Sequence, residues 1–186
     1  LHFLKRIRSE KIGSLIGDCL GVGERVIDIG AGDCFLSHYL QQKCGVDITP
    51  VDISDYSQTA LKPVIYDGKS LPFSDGCFDS ALVLFVLHYV EDPLALLKEA
   101  QRVSRKRIII LQDLCPNNFV AAPTLAWGYF ANLRRHSDRK LPYAVTEDKM
   151  SEFLELLSLK PIIQKNFVSS LSLYLIKHQL IVAEKA

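Results

Sequence analysis

No apolar run in this 186-residue chain reaches the roughly 18 residues a membrane-spanning helix needs, and Leu1 to Leu20 is broken by charges rather than built as a secretory leader. An excess of one charge is also lacking. Lys and Arg number 22 against 21 Asp and Glu, a formal net charge of +1, which gives no electrostatic reason to expect nucleic acid or anionic lipid as a partner. The five cysteines, Cys19, Cys34, Cys44, Cys77 and Cys115, are odd in number and form no C-x-x-C pair, so neither a disulfide framework nor a metal site is expected and a reducing, cytoplasmic setting fits. Internal repeats and low-complexity linkers are missing too, which argues for a single domain over 1–186. Leu1 stands where an initiator Met would, so the natural N-terminus is expected upstream.

What is present is a chain with 48% hydrophobic residues, enough to bury a core without disulfide or metal support. Its most telling stretch is Val26-Ile27-Asp28-Ile29-Gly30-Ala31-Gly32-Asp33-Cys34. β-favouring residues around one carboxylate run into two close glycines and then into the amphipathic run Phe35 to Leu40, the pattern of a strand, a tight turn and a helix start. Glycines there let a ligand approach bare backbone, and a helix N-terminus offers N–H groups to it. Gly30 is thus expected to keep the path of a nucleotide-like ligand open. The dinucleotide pattern G-x-G-x-x-G fails at Phe35, whose ring would hold the helix off the strand.

A second β-like segment ends at Asp52, 20 positions after Gly32, where nucleotide-binding α/β folds set a carboxylate against ribose hydroxyls. Asp47 opens that segment and Asp55 starts the next turn, so both are rivals of lesser position. Strands near 25–29, 47–53, 63–66, 80–87 and 107–113 alternate with helices near 34–42, 56–61 and 94–103, after a leading amphipathic helix over 2–20. Residues 147–158 read as a helix, and Pro161 to Val168 and Gln179 to Glu184 as a final antiparallel pair. The expectation is an α/β, Rossmann-like, doubly wound, mostly parallel seven-stranded sheet with an antiparallel last strand. Ser104-Arg105-Lys106-Arg107 reads as a solvated turn.

Two segments carry a family likeness. Asp28-x-Gly30-x-Gly32 resembles motif I of the class I S-adenosylmethionine-dependent methyltransferases, an acidic residue followed by G-x-G-x-G, with Cys34 in the place of the third glycine. Tyr66 to Leu84 resembles the D-x-x-x-L-P-F-x-D-x-x-F-D segment of the type-11 small-molecule branch, which includes quinone-biosynthesis methyltransferases. The resemblance implies S-adenosyl-L-methionine as cofactor. It implies that Asp67 and the Gly68 backbone meet the adenine amino group and ring nitrogen, and that Phe85 or Val86 lies beside the methionine end. The expected cofactor set is Asp28, Gly30, Ala31, Gly32, Asp52, Ile53, Asp67, Gly68, Phe85 and Val86. Leu71, Pro72, Phe73 and Phe78 read as packing and turn residues. After the fourth strand Tyr89 occupies the position of the family's usual histidine and His88 precedes it.

Absent motifs bound the chemistry. No N/D-P-P-Y/F follows the fourth strand, as exocyclic nitrogen methylation would need; no Pro-Cys nucleophile stands there; and Asp113 is followed by Leu114 rather than by a catechol-type Asp-Asn pair. Direct in-line displacement by a small-molecule acceptor remains, with His88, Tyr89 and Asp113 as candidate bases and His136 and Tyr143 behind them. Two other readings stay open: a non-catalytic S-adenosylmethionine-binding partner subunit, and a nucleotide-dependent oxidoreductase.

The chain divides by role into a cofactor half, 1–113, a substrate cover, 114–146, and a last helix with its strand pair, 147–186. The cover carries Phe119, Trp127, Tyr129, Phe130 and Tyr143 and then the basic run Arg134 to Lys140, which suits an acceptor with an apolar body and a polar handle. Trp127→Ala is expected to reduce transfer to the acceptor while leaving S-adenosylhomocysteine affinity within a few-fold, because it removes an aromatic wall but no cofactor hydrogen bond. Turnover and calorimetry on one purified variant check this, and equal loss of both would make Trp127 a core residue.

Overall fold

The computed structural model describes residues 2–114, 145–169 and 176–185. The elements are α1 (His2–Ile16), β1 (Arg25–Ile29), α2 (Phe35–Cys44), β2 (Asp47–Asp52), β3 (Val64–Ile65), β4 (Phe78–Leu84), α3 (Pro93–Val103), β5 (Ser104–Leu114), α4 (Glu147–Leu156), β6 (Leu159–Ser169) and β7 (Ile176–Lys185). They build a seven-stranded sheet in the order β3-β2-β1-β4-β5-β7-β6. The first five strands of that order run parallel, and β7 lies antiparallel between β5 and β6. This is the mixed α/β sheet read from the sequence.

Two apolar layers clamp the sheet, and the strand alternation assigns each side chain to one of them. Ile27, Ile29, Ala81, Val83, Ile108 and Ile110 face Leu96, Leu97 and Ala100 of α3 and Met150 and Phe153 of α4. Val26, Ile48, Leu82, Leu84, Ile109 and Leu111 face Ile12 and Ile16 of α1 and Leu40 of α2. Strands covered on both faces need no polar side, which is why β4 is buried at all seven positions. Caps fix the helix starts: Asp92 accepts from the Ala95 N–H with Pro93 at the first turn of α3, and Thr146 accepts from the Lys149 N–H of α4.

Several boundaries differ from the sequence reading. No helix forms over 56–61, where the Ser57 hydroxyl instead donates to the Leu61 carbonyl and holds an irregular loop. β4 ends at Leu84 and a short 3-10 turn occupies Leu87–Tyr89. Ser104 to Arg107 is no solvated turn but the start of β5. Its cations meet acids at the edge of the sheet away from the glycine turn. Arg105 and Lys106 reach Asp79 at 2.9 and 3.2 Å, while the Arg107 guanidinium donates to the Cys19 carbonyl and lies 3.7 Å from the buried Glu24. Burial opposes ionisation of Asp79, yet the Arg25 N–H, Arg105 and Lys106 outweigh it and hold the carboxyl well below its usual range. Of the expected cover over 114–146, residues 115–144 lie outside the described residues.

Asp28 lies within the central strand β1, 3% exposed on the face that α2 covers, where the Ser37 hydroxyl donates to it. Burial pushes its carboxyl up to about 6; the Ser37 bond works against that rise and the neighbouring Asp52 and Asp33 add to it. The folded state thus holds this proton more tightly than the unfolded chain, whose carboxyl titrates near roughly 3.9. Its penalty on stability is absent at low pH and develops as pH rises through the interval from the unfolded value to about 6. Asp28→Asn carries no such proton. Urea melts are expected to show the variant gaining on the wild type by on the order of 2 kcal/mol between about pH 4 and about pH 7.5, and a pH-independent difference would contradict the buried-acid account.

Candidate functional site

The parallel order reverses direction between β1 and β4, and in open α/β sheets the crevice beyond the strand ends at such a switch is where ligands bind. The turn after β1 and the segment after β4 meet here at one contact. Gly30 has φ +77°, and a Cβ on it would lie 2.6 Å from Cγ2 of Val86. The missing side chain at Gly30 therefore leaves room for Val86. Gly32, at φ +57°, has no atom within 4 Å of where its Cβ would be and faces open space. It is the position where backbone is bare.

The N–H groups of the turn are largely committed within the protein. Gly30 and Ala31 both donate to the Val51 carbonyl, at 2.8 and 3.0 Å, and Gly32 donates to Oδ2 of Asp52 at 2.8 Å. The turn is thus tied to the end of β2 rather than held open for an anion. Asp52 is 7% exposed, and its other oxygen accepts from the Ile53 N–H at 2.7 Å. Each carboxylate oxygen has a second acceptor site. Among the three acids weighed from sequence, only Asp52 reaches the turn: Asp47 opens β2 at its far end, and Asp55 accepts from the Ser57 N–H and pairs with Lys62.

Cys34 occupies the left-handed region at φ 60° as the cap of α2, which explains why a glycine is usual at this place. Its thiol is pushed up to about 11 by burial, a hydrogen bond with Ser57 opposing and Asp28, Asp33 and Asp52 adding. It stays protonated and is no nucleophile.

Beyond Asp52 the wall continues through Ile53, whose side chain lies 3.3 Å from where a Cβ on Gly68 would stand. Asp67 is exposed; its Oδ1 accepts from the Lys69 and Ser70 N–H groups, and these bonds lower its carboxyl. The structure thus gathers Gly32, Asp52, Ile53 and Gly68 along one rim, while Asp28 lies behind the turn, away from its open face. Two residues that the sequence gave no reason to notice anchor the following segment. Arg102 donates to the Leu71 and Phe73 carbonyls and to Asp75, and Glu99 accepts from the Leu71 N–H. Leu71 is buried and Phe73 packs edge-on against Phe78 at 5.0 Å, the packing roles expected of them.

On the β4 side, Phe85 carries φ 55°, a conformation a bulky residue rarely holds without an over-determining environment. Its N–H donates to the Leu111 carbonyl, the Arg8 guanidinium of α1 sits 4.7 Å over its ring, and His178 of β7 meets that ring edge-on at 5.8 Å. α1 also reaches the glycine turn, where Lys5 pairs with Asp33 at 3.3 Å. The rings of His88 and Tyr89 lie with centroids 4.0 Å apart, tilted by 49°, in the turn after β4. Asp113, by contrast, pairs across the sheet with His178, Oδ1 to Nδ1 at 2.7 Å. His178 was missed because it stands 65 residues away in sequence, and only the antiparallel register of β5 and β7 brings it opposite Asp113.

The different surroundings of the two glycines separate by mutation. Gly30→Ala is expected to cost about 2–4 kcal/mol from left-handed strain plus the Val86 overlap, with part of it recovered in Gly30→Ala/Val86→Ala. Gly32→Ala should cost only the strain, about 1–2 kcal/mol, yet weaken S-adenosylhomocysteine at least about tenfold. Paired denaturation and calorimetry check this, and a Gly32 variant with unchanged affinity would remove the turn from the site.

The family model described as "Methyltransferase domain" matches residues 27–111. Over 110 residues the chain is 34% identical to a demethylmenaquinone methyltransferase of Beutenbergia cavernae, an alignment covering 53% of this chain and 45% of that protein. The chain spans less than half the length of the first curated relatives it matches. In fold it resembles a SAM-dependent methyltransferase from Methanosarcina mazei, with a TM-score of 0.70, 19% identity and coverage of 92% and 96% of the two chains. It also resembles a [4+2]-cyclase, with a TM-score of 0.73, 14% identity and coverage of 95% and 81%. The match to the methyltransferase-domain model runs through residues 27–111, the segment that holds the glycine turn, Asp52 and Gly68, and in this segment the chain is similar to methyltransferase domains.

Proposed function

We propose that this chain transfers the methyl group of S-adenosylmethionine to a small-molecule acceptor in the cytoplasm. The observation that carries the reading is the rim at the β1/β4 switch, where bare backbone at Gly32 adjoins the Asp52 carboxylate and the Ile53–Gly68 contact. A nucleoside fits such a rim. A ribose diol can donate to the Asp52 acceptor sites not used by Gly32 and Ile53, and an adenine can lie along Ile53 with Asp67 and the Gly68 backbone at its edge. Gly30, Ala31, Phe85 and Val86 then shape the methionine end. When bound, the cofactor supplies an electrophilic methyl on a sulfonium sulfur. The protein's part is to position the acceptor in line with that methyl and to keep water out.

The demethylmenaquinone methyltransferases among the relatives suggest the acceptor class, a quinone-type ring with an apolar body. An electrophilic methyl needs an electron-rich partner, so the reduced, dihydroxy form of such a ring is the form to test. A second reading, a cofactor-binding subunit without transferase activity, draws on the [4+2]-cyclase with the same fold, since one fold hosts several chemistries.

Calorimetry is expected to show S-adenosylhomocysteine binding in preference to NAD. Asp52→Ala should weaken it by about 1.5–3 kcal/mol, the range for hydrogen bonds to a charged group, with Asp47→Ala and Asp55→Ala silent. Release of S-adenosylhomocysteine on incubation with S-adenosylmethionine and a reduced short-tail demethylmenaquinone would establish transfer. Binding without turnover on any dihydroxyaromatic would favour the second reading.

A further inference from the structure

At the C-terminal end of β5, beside the crevice, the sheet holds a histidine in an arrangement that its packing does not require. His178 is 2% exposed, lies edge-on to Phe85 and 5.4 Å from Phe167, and bonds Asp113 through Nδ1 at 2.7 Å. A carboxylate only accepts, so Nδ1 is the donor, and in the neutral ring Nε2 carries the lone pair. Among the described residues that lone pair has no hydrogen-bond partner. Leaving a buried polar atom unpaired costs about 1–3 kcal/mol, and an apolar side chain between Phe85 and Phe167 would avoid the cost. The strained Phe85 backbone at φ 55° sits against the same imidazole, at the strand end where the methyl is expected.

We propose that His178, oriented by Asp113, takes the proton of the methyl acceptor, and that the acceptor is therefore a weakly acidic hydroxyl compound, phenolic or enolic. The inference rests on the methyl-transfer reading above. The acceptor hydroxyl donates to Nε2 and passes its proton there, giving an imidazolium held against the Asp113 carboxylate. The electron pair left on the acceptor, on oxygen or on a conjugated ring carbon, forms the bond to the methyl carbon as the methyl–sulfur bond breaks onto sulfur. If carbon is methylated, that carbon's own hydrogen leaves as a proton and the hydroxyl is restored. One proton is released to solvent for each methyl transferred, and no oxidant or reductant takes part. Asp113 is a positioning residue in this scheme: it fixes the tautomer and stabilises the imidazolium, as a carboxylate behind a catalytic histidine does. In this scheme His88 and Tyr89, the candidates from sequence, are not needed as bases.

Two measurements decide the matter. Nitrogen-15 NMR of the unliganded wild type should show His178 with Nδ1 protonated and Nε2 bare at neutral pH; the opposite tautomer would overturn the proposal with no assumption about substrate. With reduced short-tail demethylmenaquinone as probe, His178→Gln should lower kcat by roughly 10²-fold or more while S-adenosylhomocysteine affinity stays within about threefold. Asp113→Asn, whose amide can donate to Nδ1 and force the proton onto Nε2, should lower kcat as well and shift the tautomer signals. It serves as the second variant should His178→Gln fail to fold. A loss under about fivefold in the folded variants would sink the dyad while leaving methyl transfer intact. No wild-type turnover, with S-adenosylhomocysteine still bound, would instead refute the quinol assignment of the acceptor, and the tautomer alone would then decide the dyad.

Discussion

The site depends on one close approach, that of the Val86 side chain to the bare α-carbon of Gly30 across the gap between β1 and β4. Parallel strands at a switch point diverge above their ends, because the connection from β1 goes to one side and that from β4 to the other. Packing a branched side chain directly onto backbone draws the two exits together and sets the width of the crevice. The two N–H bonds from Gly30 and Ala31 to the Val51 carbonyl tie the same turn to β2. With three strand ends fixed to one another, Gly32 is left as the exposed crest, and the rim beyond it follows from where β2 and β3 end.

The glycine turn and the strand end beside it concentrate negative charge at a cost to stability. Asp28, Asp33 and Asp52 lie close enough that each raises the Cys34 thiol, and burial lifts Asp28 to about 6. Part of the cost is offset by specific donors: Ser37 to Asp28, Lys5 to Asp33, and the Gly32 and Ile53 N–H groups to Asp52. The cofactor expected here is a sulfonium cation, for which such a cluster supplies attraction in a partly buried setting. At the opposite ends of the strands the acids Glu24 and Asp79 are answered by Arg105, Lys106 and Arg107.

The C-terminal end of β5 is built on different principles. It stands where the parallel half of the sheet gives way to the antiparallel β7, so residues distant in sequence face each other across a two-strand ladder. The Asp113–His178 pair and the buried Gln112–Gln179 pair occupy successive rungs of that ladder and point to opposite faces.

What the chain determined by itself is the local grammar. Apolar runs bounded by glycine set the strands, the carboxylate before Gly30-x-Gly32 marked the turn, and the interval to Asp52 placed an acid at the next strand end, because each of these depends on residues close in sequence. Failures came where a local pattern was overridden. Residues 56–61 had helical composition but took loop structure through Ser57, and Ser104 to Arg107 looked like a solvated turn until the buried acids Glu24, just before β1, and Asp79 of β4 became their partners. Only the tertiary structure decided that Gly30 serves Val86 while Gly32 stays bare, since φ and clearance at a glycine are set by a segment 56 positions away. Only the register of β5 against β7 set His178 opposite Asp113, because strand pairing across 65 residues is chosen by the burial of whole faces and leaves no mark in the spacing of the two residues themselves.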